Sequence, residues 1–108
     1  MPALSARALQ AITNPANEIF IGIGTVWELV IKRAIGKLHF PFDIEAVIRD
    51  QGFGLISITF THLRALDALP HLHRDPFDRL LIAQSIAENL PIITGDRAFA
   101  AYGVALIW

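Results

Sequence analysis

Three carboxylates stand where an α/β chain gathers ligands: Glu28 in "TVWELVIKR", Asp78 in "HRDPFDRLLIAQ" and Asp96 in "IITGD". Asp96 follows a short apolar run, residues 90–94, that reads as a strand. Asp78 lies in the first turn of the helix feeding that strand. Such a helix runs back antiparallel to its strand, so its N-terminus falls at the same edge as Asp96. Glu28 lies in the first turn of a helix that follows another strand, residues 18–24. In open parallel sheets, ligands collect beyond the carboxyl ends of the strands. Carboxylates that converge there repel one another, and some bind protons unless a cation lies between them. Mg²⁺ or Mn²⁺ suits an oxygen-rich site and keeps several waters. Such an ion activates a water and stabilises charge on a phosphoryl oxygen, which is the chemistry of acidic nuclease sites.

Each of these residues also has a purely structural reading. Asp75 is placed to cap a helix whose first residue is Pro76. Asp78, at the third helical position, favours the helix dipole. Thr25 and Glu28 have capping-box spacing, and Asp96 after Gly95 can cap the next short helix. The histidines offer a rival site: His71, His73 and Asp75 alternate in "HLHRD" and could face one way toward Zn²⁺, but no fourth ligand is evident. Lys32, Arg33 and Lys37 form a basic cluster, and Arg74 and Arg79 flank the Asp75–Asp78 pair. Such charges commonly form a solvated face. If the site acts on RNA, Lys32 and Arg79 are the phosphate contacts, because Lys32 is one helical turn from Glu28 and Arg79 adjoins Asp78.

The elements that must hold these residues follow from apolar periodicity and breakers. Helices are expected from Leu4 to Ile12, from Thr25 to Gly36, from Asp43 to Gly52, across "THLRALDAL", and from Asp75 to about Asn89. Strands are expected at residues 18–24, 54–58, 90–94 and 104–108, with "DRAFAAYG" a turn or short helix. The strands are apolar throughout rather than alternating. This predicts a mostly parallel sheet covered on both faces, an α/β sandwich.

The chain has 108 residues, which fits one small domain over residues 1–108. It is 54% hydrophobic, so some apolar surface is expected to meet a partner. A formal net charge of −1 removes any bulk basic attraction to nucleic acid. Lys32, Arg33, Gln84 and Glu88 interrupt the apolar stretches, so no membrane span is expected. "MPALSARALQ" lacks a signal-peptide core. With no cysteine, thiolate chemistry is excluded and a cytoplasmic location is the default.

The segments "TVWELVIKRAIGKL", "LPHLHRDPFDRLLIAQSIAENLPIITGD" and "AYGVALIW" together resemble the PIN-domain ribonucleases, in particular the VapC-type toxins of bacterial toxin–antitoxin modules. The likeness runs from about Leu4 to Trp108. It implies a three-layer α/β/α sandwich with a mostly parallel central sheet, and cleavage of RNA by metal-assisted hydrolysis with Mg²⁺ or Mn²⁺. It places the family's acidic ligands on Glu28, Asp78 and Asp96. It also implies a homodimer and a small antitoxin that blocks the acidic pocket. The family's first strand, with its catalytic aspartate, has no counterpart here: the likeness starts just beyond it, and no acidic residue precedes Glu18. The strands at residues 18–24 and 90–94 would then lack the neighbour they normally share.

Two functions from different classes follow. One is a metal-dependent endoribonuclease, which the resemblance makes the toxin of a bacterial toxin–antitoxin system. The other is a catalytically impaired remnant that serves as a protein-binding or dimerisation module. A phosphate-binding α/β domain is a weaker third, because "GIGTVW" lacks the final glycine of a phosphate-cradling loop.

Overall fold

A computed structural model of the chain describes residues 4–108. These form two compact units: residues 18–58, and a unit in which the N-terminal segment up to Asn17 joins residues 59–108.

In the second of these, α1 (Ala6–Thr13) begins at Ser5, whose side chain accepts the amide of Ala8 at 3.1 Å. The helix α4 (Phe60–Ala68) begins at Thr59. Its capping box is completed by His62, whose Nδ1 accepts the Thr59 amide at 3.1 Å. The following helix α5 (Pro76–Glu88) is capped by Asp75 and closes at Asn89 in the left-handed region, φ 54°. The strand β3 (Ile92–Ile93) pairs in parallel with β4 (Leu106–Ile107). A parallel pair needs a crossover, and a 3-10 helix at Arg97–Tyr102 provides it.

The core of this unit is Leu69, Ile82, Ala83, Ile92 and Phe99. It fastens α5 to α4 on one side and to β3 and the 3-10 helix on the other. A second tie joins the helices: buried His62 meets Glu88 Oε1 through Nε2 at 2.7 Å. The C-terminal end of α5 is fixed where the Ser85 hydroxyl donates to the Leu90 carbonyl.

In the unit of residues 18–58, β1 (Phe20–Gly22) runs straight into α2 (Ile23–Ala34), and α3 (Ile44–Asp50) leads to β2 (Gly54–Ile56). These strands are also parallel, with Ile21 opposite Leu55. A Cβ on Gly54 would lie 2.6 Å from the Phe20 ring, so only glycine admits that ring against β2. The Asp43 cap of α3 and the Gly52 turn, φ +73°, stand where expected. The α2 start does not. Its cap is Gly22, without a side-chain bond, because strand and helix share a boundary with no intervening turn. Thr25 and Glu28 therefore form no capping box.

The architecture is thus α/β with parallel strands, and each pair is joined by a helical crossover. Among the described residues the strands form two two-stranded sheets, and each strand is shorter than its apolar run in the sequence.

Candidate metal centre

The segment His73–Arg79 is built around one carboxylate that starts a helix and another that does not. Asp75 has extended backbone, and its Oδ1 accepts the amides of Phe77 at 2.8 Å and Asp78 at 3.2 Å. Pro76 occupies the first helical position, where no amide is needed. Capping by Asp75 puts Asp78 at the third position. The Asp78 side chain turns back along the chain and meets His73 Nε2 through Oδ2 at 2.8 Å.

Asp96 arrives from the other direction, at the exit of β3. It caps the 3-10 helix through Oδ1, which accepts the Ala98 amide at 2.9 Å, and its own amide donates to Thr94 Oγ1 at 3.1 Å. Gly95, just before it, lies under the Trp108 indole; a Cβ there would stand 2.7 Å from the ring. Trp108 therefore packs over the strand exit that delivers Asp96.

Ligand atoms of His73, Asp78 and Asp96 all lie within 4.8 Å of one another. Atoms around one small octahedral cation, bonded at 2.0–2.1 Å, stand roughly 3 to 4 Å apart. Asp96 is exposed and can close the remaining gap. Two carboxylates and a nearby imidazole thus fit a divalent ion. The alternative His71–His73–Asp75 set is not assembled: Asp75 is occupied as the cap, and His73 faces Asp78.

The 3-10 helix ties the two carboxylates together. It begins at Asp96. Its Phe99 ring meets the His73 ring edge-on, with centroids 6.4 Å apart. Its Tyr102 hydroxyl oxygen accepts the amides of Leu72 at 3.1 Å and His73 at 2.9 Å. Arg79 Nη1 donates to the same oxygen at 3.2 Å and to the Pro70 carbonyl at 2.9 Å. Arg79 is 9% exposed, and no carboxylate lies within ion-pair distance of it among the described residues. It lines an open groove of about 640 Å³ with His71, His73, Arg74 and Asp67. That volume falls in the range of small-ligand sites.

Glu28 belongs to the unit of residues 18–58, six residues into α2. It pairs with Lys32 one turn later, at 3.3 Å, and Lys32 is half-exposed. With no capping role, the Glu28 carboxylate is not needed to start its helix. Sequence reasoning missed His73 as the partner of Asp78, and Tyr102 altogether. The first is a contact across a non-helical segment, which no helical or strand period marks. The second joins residues about thirty positions apart.

No curated protein matches this sequence, and no solved structure does. A family model described as PIN domain matches residues 2–105, a span that covers the unit of residues 18–58, most of the other unit, and Glu28, His73, Asp78 and Asp96. On that match, the chain belongs to the PIN domain family.

Proposed function

We propose that this protein is a metal-dependent endoribonuclease of VapC type, the toxin of a bacterial toxin–antitoxin pair, with Glu28, Asp78 and Asp96 holding Mg²⁺ or Mn²⁺. PIN domains are typically divalent-metal-dependent nucleases that bind RNA, often within toxin–antitoxin systems. The observation that carries the reading is the convergence of Asp78 and Asp96, from separate elements, within 4.8 Å beside His73. Glu28 joins them in the proposal because the motif assigns it and because its helix leaves it without a capping task.

When bound, the ion would supply an activated water and stabilise charge on the scissile phosphate. The chain's own residues have separable tasks. Asp75 starts α5 and so fixes where Asp78 projects. Asp96 is held at the β3 exit by its bond to the Ala98 amide. Arg79 is a buried guanidinium with no carboxylate partner among the described residues, and such a charge favours an incoming anion. We assign it, with Lys32, to RNA phosphates. An antitoxin and a second copy of the chain are the proposed protein partners. Exposed Ile35 and Phe42, each 60% accessible, are apolar surface of the kind such contacts cover. A cytoplasmic location agrees with the absence of cysteine. Among the described residues no helix is long and apolar enough to cross a membrane.

A second reading keeps the fold without cleavage: the chain serves as a protein-binding or dimerisation module, and its exposed apolar side chains, Ile35 and Phe42 among them, are the observation that favours it. One assay separates the two: single-stranded RNA incubated with the chain and with Asp78→Asn, in Mg²⁺, Mn²⁺ or EDTA. The nuclease reading expects cleavage that needs metal and falls at least about a hundredfold in Asp78→Asn, the scale of losing one strong electrostatic contact in a site. No products from either protein would leave only the binding module, and equal products from both would remove Asp78 from the reaction and overturn the proposed site.

A further inference from the structure

We propose that His73 is a positioning residue for Asp78 and not a ligand of the ion, so that the metal meets carboxylate oxygens rather than imidazole at this corner of the site. The inference rests on the metal-dependent reading above and adds to it the class of donor that faces the ion.

Proximity alone would make His73 a third ligand, since its ring nitrogen stands with the two carboxylates within 4.8 Å. The other ring nitrogen argues against it. His73 Nδ1 accepts the Arg74 amide at 2.9 Å. A nitrogen that accepts an N–H carries no proton, so the ring proton sits on Nε2. Nε2–H then donates to Asp78 Oδ2 at 2.8 Å. To ligate through Nε2, the ring would have to move its proton to Nδ1, against the Arg74 amide. Ligation would therefore break two hydrogen bonds at once.

The ring is also held in this pose from behind. The His73 amide is bound by the Tyr102 hydroxyl at 2.9 Å, and Phe99 packs edge-on against the imidazole. Both come from the 3-10 helix that begins at Asp96. A carboxylate has about four lone-pair positions, so a donor on Oδ2 is compatible with a cation at the same group. What the donor adds is direction: it fixes the plane of the Asp78 carboxylate. Donors that orient a ligating group in this way are commonly worth about 10- to 100-fold in metal affinity. The consequence is an oxygen-only corner, which suits Mg²⁺ and Mn²⁺ and gives no advantage to Zn²⁺.

The test uses the full chain, Mn²⁺ as the probe, and the variants His73→Gln and His73→Leu, each checked for folding by circular dichroism. Glutamine places an amide N–H near the position of Nε2; leucine has no donor. In metal-free protein, ¹⁵N-edited NMR of the imidazole should show the proton of His73 on Nε2. Titration followed by the electron paramagnetic resonance signal of free Mn²⁺ should show His73→Gln within about threefold of the parent and His73→Leu weaker by about tenfold or more. Pulsed spectra of the Mn²⁺-bound parent should lack imidazole nitrogen coupling. A proton on Nδ1, a nitrogen coupling that disappears in His73→Gln, or equal affinity of the two variants would each overturn the assignment while leaving a metal site in place. A parent chain that binds no Mn²⁺ at millimolar concentration would overturn the metal-dependent reading and this inference with it.

Discussion

Two aspartates three positions apart divide one job between them. Asp75 satisfies two amides that α5 leaves open, and the Asp78 carboxylate meets the His73 ring. The division can be tested one residue at a time. Replacing Asp75 with Ala removes a cap, which costs about 1 kcal/mol, within a range of about 0.5–2. Asp75→Asn keeps an accepting oxygen and should cost only a few tenths of that. Urea denaturation followed by circular dichroism is expected to show this order, with Mn²⁺ affinity of the folded protein nearly unchanged in Asp75→Asn. A loss of Mn²⁺ binding in Asp75→Asn that matches the loss in Asp78→Asn would move Asp75 from the cap into the ion's coordination. The cap was legible because "DP" before an apolar run carries its own local physics. The role of Asp78 was only half legible. Its side-chain partner lies across an extended segment whose path is set by Tyr102, and nothing near Asp78 in the sequence announces that residue.

The element that does most to assemble the site is the 3-10 helix at Arg97–Tyr102, the least defined of the sequence expectations. Its cap, Asp96, is a site carboxylate, and its last residue, Tyr102, accepts from Leu72, His73 and Arg79. Tyr102→Phe keeps the ring and removes the acceptor. It leaves amides of the His73 segment and the buried Arg79 short of a partner, at about 1–3 kcal/mol for a donor so exposed by deletion. The expected outcome is a lower urea midpoint together with a weaker Mn²⁺ site, although no carboxylate has been touched. Unchanged Mn²⁺ affinity in the folded variant would show that the helix does not set the position of His73. The other elements were legible to the extent that their signals were local. Ser5, Asp43 and Asp75 cap as their types and positions imply. Thr25 does not, because α2 opens directly from β1, two residues before that threonine. Thr59 was not anticipated, because its capping box is closed by His62 rather than by glutamate or glutamine. The parallel pairing followed from runs that are apolar on both faces. Their true lengths did not, since a strand ends where its partner's ladder ends.

For the molecule as a whole, charge decides how it can meet RNA. Nine Lys and Arg face ten Asp and Glu, for a formal net charge of −1. No bulk positive charge draws the polyanion in, so on the proposed reading affinity comes from a few placed cations. Arg79 and Arg74 line the groove beside His73, and Lys32 stands one turn from Glu28. Each phosphate neutralised on a single strand releases condensed counterions and contributes a slope of about −0.7 in log K against log salt. Two or three such contacts predict a total slope of only about −1.4 to −2.1. The measurement is fluorescence anisotropy of a labelled single-stranded RNA in metal-free buffer, titrated at several salt concentrations. Lys32→Ala should make the slope shallower by about 0.7. Arg79→Gln should do the same and also lower stability, because Arg79 holds the Pro70 carbonyl and Tyr102. A measured slope steeper than about −5 would require more phosphate contacts than these side chains provide. The cations would then have to be sought elsewhere on the chain or on a bound partner, and Lys32 and Arg79 would lose their place as the principal contacts. A slope near zero, with binding intact, would point instead to recognition by stacking on exposed aromatic side chains such as Trp27 and Phe60.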